Sequence, residues 1–246
     1  MAKKPHPIKA FFKQSALLAC LVRFIRHRWL WPRKRDRVVR EYMARNDERK
    51  LHLGTGPDYK LDDRWLASDL NPHYDRGIVY LDASQRLPFG DAIFEYVFSE
   101  HLIEHLTYPQ GEGMLRECYR VLKPGGRIRV GTPDLRVIIG LFAESPSDTE
   151  QEYIRYHVDK FVKPHGEHSP VFVLNNIVRN WGHRFLYDEA TLRGALEKAG
   201  FTDLKRYASG ESDDPKLKGL EFHGKVVKNE AMNSFETMVI EARKPA

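Results

Sequence analysis

His101-Leu-Ile-Glu-His105 sets two imidazoles and a carboxylate about one helical turn apart, a spacing that suits metal ligation or proton transfer. It matches the His-x-x-Glu-His pattern of inverted zinc proteases. A five-residue match arises readily in a chain with 11 histidines. The segment also follows the end of an apolar run, where a reaction site is expected. The pattern therefore predicts a site lined by His101 and Glu104 or His105, with no metal; the alternative is that His105 caps or packs beneath its helix. Gly54-Thr55-Gly56, Asp69, Asp82, Ser99-Glu100 and Asp134 each end a short β-rich run. A glycine bend lets backbone approach a ligand closely. A carboxylate closing the second run can accept both hydroxyls of a ribose, and one closing the third can meet the exocyclic amine of an adenine. Asp134 and His183, in Trp181-Gly-His-Arg184, join His101 and His105 as candidate bases.

The elements that must position these groups are legible around them. Lys50-Leu51-His52-Leu53, Trp65-Leu66-Ala67-Ser68, Ile78-Val79-Tyr80-Leu81, Phe94-Glu95-Tyr96-Val97-Phe98 and Arg127-Ile128-Arg129-Val130 read as strands. Residues 114–122 read as a helix stopped by Lys123-Pro-Gly-Gly126. Residues 188–199 form a capped amphipathic helix ended by Gly200, and residues 235–242 a last strand. This alternation predicts a parallel or mostly parallel sheet covered by helices, with ligands outside the carboxyl ends of its strands. Residues 134–186, rich in His, aromatics and Pro, read as irregular.

The chain has 246 residues and is 41% hydrophobic, enough for one large domain with an appendage. Two cysteines, Cys20 and Cys118, exclude a disulfide framework and a four-thiolate zinc site, and imply a reducing compartment. The apolar stretch at residues 16–22 is far short of the ~20 residues that span a bilayer. Lys9, Lys13 and the lack of a small-residue cleavage site argue against a secretory leader. The net charge of +6 is uneven: residues 1–50 hold 15 Lys/Arg against 4 Asp/Glu, so the remainder is mildly acidic. Apolar residues at 11, 12, 18, 21, 22 and 25 recur at helical spacing, followed by Trp29, Trp31 and Arg33-Lys34-Arg35. Such an arm packs on the domain behind it, lies in a membrane interface with Trp29 and Trp31 at headgroup depth, or meets nucleic acid.

A dinucleotide fold needs Gly-x-Gly-x-x-Gly, but Tyr59 stands at the third glycine position and Pro57-Asp58 puts negative charge where phosphates would lie. The order Leu51-His-Leu-Gly-Thr-Gly-Pro-Asp58, Asp69, Asp82, Leu87-Pro-Phe-Gly-Asp-Ala-Ile-Phe94 and Leu122-Lys-Pro-Gly-Gly126 instead resembles class I S-adenosylmethionine-dependent methyltransferases. His183-Arg-Phe-Leu-Tyr-Asp188 with Leu196-Glu-Lys-Ala-Gly-Phe201 is similar to a bacterial subgroup associated with cell-surface glycan biosynthesis. The resemblance implies a Rossmann-like seven-stranded α/β sheet with helices on both faces over residues 49–246. A lid or substrate insertion would lie at about 134–186, and a basic helical extension over 1–48. It implies S-adenosyl-L-methionine as cofactor, held by Leu53, Gly54, Thr55, Gly56, Asp69, Leu70, Asp82, Ala83, Ser99 and Glu100. Two departures stand out. The family's first motif carries another Gly near Asp58, and about eight residues link Gly56 to the second strand, which predicts a loop or single turn in place of a helix.

The reaction implied is methyl transfer, with His101, His105, Asp134 or His183 as base if the acceptor is a hydroxyl. Neither the aromatic motif of base-amine methylation nor the acidic hairpin of arginine methylation is present. His157, Lys160, Lys163, His165, His168, Arg179 and His183 could meet a phosphate- or carboxylate-bearing acceptor, or form a solvated lid. The expected acceptor is a sugar, nucleotide sugar or lipid-linked glycan. The expected location is cytoplasmic, with contact to the inner membrane face through residues 1–40. An RNA or other small-molecule methyltransferase and a non-catalytic cofactor-binding module are the alternatives.

Overall fold

The computed structural model describes residues 16–56, 61–162 and 167–246. Seven strands form one sheet: β1 (Lys50–Leu53), β2 (Trp65–Asp69), β3 (Val79–Tyr80), β4 (Phe94–Glu100), β5 (Leu122–Pro133), β6 (Thr202–Tyr207) and β7 (Thr237–Arg243). Their order is β3-β2-β1-β4-β5-β7-β6. β1 to β5 run parallel, and β7 lies antiparallel between β5 and β6. The order reverses between β1 and β4, so the ends of those strands open a crevice. Asp69, Glu100 and the Gly54 bend all lie on that rim.

Alternation along the strands divides the two faces. Leu51, Leu53, Val97, Ile128, Val130, Met238 and Ile240 share one core, packed under α2 (Trp31–Arg45), α3 (Tyr108–Val121) and α7 (Glu189–Lys198). α3 starts earlier than the apolar pattern alone predicts, because Thr107 and Gln110 form a capping box ahead of it. α7 is capped by Asp188, which accepts from the Thr191 amide. On the opposite face Trp65 and Phe98 pack against Leu217 and Leu220 of the segment after β6. That face also buries Arg129, which donates to Glu221 at 2.6 Å, Glu241 at 2.5 Å and the Glu211 carbonyl at 2.9 Å. Three acceptors on one guanidinium offset the cost of removing it from water.

Residues 134–186 are not irregular. They contain α4 (Leu135–Gly140), α5 (Asp148–His157) continued by a π-helical turn (Val158–Val162), and α6 (Pro170–Arg179). These close on a second core of Ile138, Leu141, Tyr153, Ile154, Val158, Val173 and Ile177, joined by Met232 of α9 (Glu230–Glu236). Helices of this length carry only two or three apolar turns, and Pro146 and Pro170 interrupt the pattern between them. Ser147 and Glu150 form the capping box that starts α5.

The N-terminal arm is helical from residue 16: α1 (Ala16–Ile25), a π-helical turn and α2. Residues 1–15, including Lys9, Phe11, Phe12 and Lys13, lie outside the described residues. Trp31 does not project outward but packs on Tyr80 at 5.4 Å, and Tyr74 donates its hydroxyl to the Trp31 carbonyl at 2.6 Å. Tyr42 of α2 is buried; its hydroxyl receives the Lys50 amide at 2.7 Å and donates toward the Lys50 and Arg64 carbonyls. α2 is thus stitched to the start of β1, whereas Trp29 remains exposed. Of the short link before β2, residues 61–64 form a turn in which Trp65 donates to the Asp62 carbonyl; Asp58 and Tyr59 lie outside the described residues.

Candidate active site

β1 ends in a bend that only glycine fits. Gly54 has φ +74°, and a Cβ there would stand 2.9 Å from Leu102 Cδ1. Gly56 has φ +65°. The Gly54 and Thr55 amides both donate to the Ser68 carbonyl, at 2.9 and 3.1 Å. The Gly56 amide donates to Asp69 Oδ2 at 2.9 Å, while Asp69 Oδ1 accepts from Asn71 N at 2.8 Å. The carboxylate closing β2 is therefore fixed beside the glycine bend, with lone pairs left for a ligand. The Leu81 amide donates to the Asp69 carbonyl, which brings Asp82 to the same edge, where its Oδ1 holds the Ser84 amide and hydroxyl. Leu70 is exposed at the rim, Ala83 packs on the core, and Leu53 points into the core and offers only backbone. This cradle suits an adenosyl group: backbone open to close approach and two carboxylates at adjacent strand ends. Ser99 is buried with an unpartnered Oγ and stays out of the cavity lining.

From Gly54, Thr55 and Gly56 a cavity of about 560 Å³ runs past Glu100, His101, Glu104, His105, His183, His223 and Glu236. Three of these are glutamates, of which Glu104 pairs with His101, while burial pushes the carboxyls of Glu100 and Glu236 upward. Glu100 accepts the Phe222 and His223 amides. His101 adopts φ +47°, uncommon for a side-chain-bearing residue. That twist sets its Nδ1 3.2 Å from Glu104 Oε1 and its Nε2 3.2 Å from Thr237 Oγ1. Burial alone would lower His101; Glu104 beside it, with Glu100 and Glu236, lifts it to about 9. His223 stacks on it at 4.1 Å and is held neutral, pushed down to about 3 by burial and by the His101 charge. A buried, protonated His101 paired to Glu104 is no base at neutral pH; it balances charge.

Glu104 and His105 lie on a 3-10 turn (Ile103–His105). The Arg184 and Phe185 amides donate to the Glu104 carbonyl, at 2.7 and 3.2 Å, pinning the 181–185 strap against that turn. Trp181 (φ +56°) and Gly182 (φ +82°) make the bend that delivers His183. His183 Nδ1 donates to the Ile177 carbonyl at 2.8 Å, and its ring meets His105 at 4.9 Å. Burial lowers His183, so it is neutral with Nε2 as acceptor. Asp134 is not brought to this group. Its carboxylate caps α4 through the Arg136 amide and pairs with Arg206 at 2.8 Å, outside the cavity lining.

The far wall is aromatic. Phe161 and Trp181 meet edge to face at 5.1 Å, with His157 and Tyr156 against Phe161. Of the basic residues in this insertion, His157, Lys160 and His183 line the cavity, whereas His168 pairs with Asp159 at 3.1 Å. Lys163 and His165 lie outside the described residues. Phe222, His223, Val226, Val227, Asn233 and Glu236, from α8 (His223–Val226), α9 and their flanks, also line it. Sequence reasoning missed these, because the segment after β6 shows neither clear periodicity nor a recognisable motif.

A profile of the methyltransferase domain family matches residues 51–130, about a third of the chain. A search of curated proteins finds no match. Among solved structures, an S-adenosylmethionine-dependent methyltransferase from Archaeoglobus fulgidus is 17% identical, with 91% of this chain and 99% of that one covered at a TM-score of 0.47. Another from Mesorhizobium loti is 14% identical, covering 80% and 90% at 0.46. The profile match spans the glycine bend, Asp69, Asp82, β4 and the start of β5, the elements that build the cradle. Residues 51–130, which build the glycine bend and the two carboxylate strand ends, are thus similar to the methyltransferase domain family.

Proposed function

We propose that this enzyme methylates a hydroxyl of a sugar-containing acceptor, either a nucleotide sugar or a lipid-linked glycan, in cell-surface glycan biosynthesis. The observation that carries this reading is a cavity running from the Gly54–Gly56 bend to a histidine end and an aromatic wall. Flat rings such as Trp181 and Phe161 suit the apolar C–H face of a sugar ring, and Lys160 beside them suits an attached phosphate. When bound, S-adenosylmethionine supplies a methyl group on a positively charged sulfur. Gly54, Gly56, Asp69 and Asp82 would hold the adenosyl moiety, with Glu100 lining the cavity beyond the glycine bend. That methyl would pass to an acceptor hydroxyl, whose proton a basic group at the Glu104–His105–His183 end would take. Enclosure aligns the partners and limits competing water.

Turnover of labelled cofactor against a panel of sugars, nucleotide sugars and lipid-linked glycans tests the reading. Activity on one glycan class, reduced about 100-fold or more in His183→Ala with S-adenosylhomocysteine affinity retained, is the expected result. Cofactor binding with no turnover on the panel would favour a non-catalytic module. Turnover on RNA with steeply salt-dependent retention would favour the nucleic-acid reading.

The arm supports a location at the inner membrane face. Leu21, Val22, Phe24, Ile25, Trp29 and Leu30 are all exposed, and Arg33, Lys34, Arg37 and Arg40 follow at the surface of the next helix. This pairing of an open apolar face with adjacent cations fits an anionic bilayer surface. No helix of the described residues is long and apolar enough to cross a membrane. The full chain is expected to float with vesicles containing anionic lipid, and a 1–30 deletion to stay behind; equal recovery of both would reject the contact.

A further inference from the structure

We propose that Glu104, His105 and His183 form a binding site for one divalent transition-metal cation at the acceptor end of the cavity. One ligand atom from each lies within 4.8 Å of the other two. Two imidazoles and one carboxylate form a nitrogen-oxygen donor set with open positions, suited to Zn²⁺, Co²⁺, Fe²⁺ or Mn²⁺.

The surroundings are those of a prepared site. A metal-bound histidine normally donates its other ring N–H to a carbonyl or carboxylate, which fixes the free lone pair. His183 does this already: Nδ1 donates to the Ile177 carbonyl and Nε2 is left for a ligand. Glu104 is fully buried, and Thr132 Oγ1 donates to its Oε2 at 3.0 Å. Its Oε1 pairs with His101 Nδ1 at 3.2 Å, which holds the carboxylate in place at the edge of the cluster. The bend that delivers His183 is itself strained, with Trp181 in the left-handed region, and it passes close to the second imidazole: a Cβ on Gly182 would lie 3.8 Å from His105 Nδ1. Bonds of about 2.1 Å put neighbouring donors roughly 3–3.5 Å apart, so rotation of the half-buried His105 ring is the movement needed to close the site.

This arrangement differs from the one the His101-x-x-Glu-His105 spacing suggests. His101 is turned toward Thr237 and His223, and the second imidazole comes from His183, 78 positions beyond His105. Cation binding does not depend on the methyl-transfer reading. Its use does rest on that reading: with a cation bound, His105 and His183 would be ligands in place of bases, and open metal positions would select an acceptor with two neighbouring oxygens, such as a vicinal diol or a hydroxyl beside a phosphate or carboxylate.

Tag-free full chain, stripped with chelator, is titrated with Co²⁺ while the visible ligand-field absorption is followed, and Zn²⁺ is then used to displace it. One equivalent is expected to bind saturably. His183→Ala and His105→Ala should each weaken binding at least about tenfold, and His168→Ala, remote from the cluster, should leave it unchanged. Thermal melts establish that each variant is folded. No saturable binding, or binding that a folded His105→Ala/His183→Ala double variant retains, overturns the site. Calorimetry with S-adenosylhomocysteine on the same samples separates the two readings. Cofactor binding without metal binding defeats only the cation site, and metal binding without cofactor binding defeats only the methyl-transfer reading.

Discussion

At the scale of single residues, Gly54 bears the tightest constraint. Its left-handed φ and the 2.9 Å approach of Leu102 both oppose a side chain. Gly54→Ala is expected to destabilise the fold by roughly 1–3 kcal/mol and to weaken S-adenosylhomocysteine binding, read by thermal melts and calorimetry. Gly54, Gly56, Asp69 and Asp82 were legible because strand ends, glycine bends and carboxylates are local signals. The partition among the histidines was not. His101, His105 and His183 look equivalent in sequence, yet only the fold shows His101 held protonated at about 9 by Glu104 and its neighbours while burial keeps His183 neutral. Asp134 follows the same lesson: a carboxylate closing a strand reads as chemistry until Arg206 and the α4 amide account for it.

At the scale of elements, α2 behaves as part of the domain and α1 as an outrigger. Tyr42 is the rivet, with three backbone partners around its hydroxyl. Tyr42→Phe leaves the Lys50 amide without that acceptor and is expected to cost about 1–3 kcal/mol in urea denaturation, with cofactor affinity little changed. A neutral result would mean that water replaces the hydroxyl and α2 is only loosely attached. β1 to β5 and α7 were readable because buried parallel strands are short apolar runs and α7 has a clean cap. β6 was not, because four of its six residues are exposed. An edge strand of Thr, Asp, Lys and Arg has no hydrophobic alternation to betray it. The lid helices escaped for the converse reason: each is short, and their shared core forms only when the three come together with Met232.

At the scale of the whole molecule, buried neutral histidines tie stability to pH. His157 is almost fully buried, and burial pushes it down to about 4. Below pH ~6.5 the unfolded chain takes up a proton there that the folded chain refuses, so this group's contribution is intact above ~6.5 and lost as pH falls toward 4. The slope is ~1.4 kcal/mol per pH unit within that window. His157→Gln keeps an acceptor for the Asn176 amide, 2.9 Å away in the native structure, without titrating. Its urea stability should gain on the wild type by about that slope between pH 6 and 4.5; parallel pH curves would contradict the burial. Fold class and the glycine–carboxylate rim were readable because that rim is written in one stretch of sequence. The acceptor cavity was not, since its walls come from β4, the lid, the 181–185 strap and the segment before β7. The proposed cofactor site centres on the rim where Asp69 meets the glycine bend. Calorimetric titration of S-adenosylhomocysteine into the wild type and Asp69→Ala tests it most directly. Saturable one-to-one binding that falls at least about tenfold in a folded Asp69→Ala is predicted, the loss of roughly one charged hydrogen bond; undiminished binding in the variant, or none in the wild type, would contradict it.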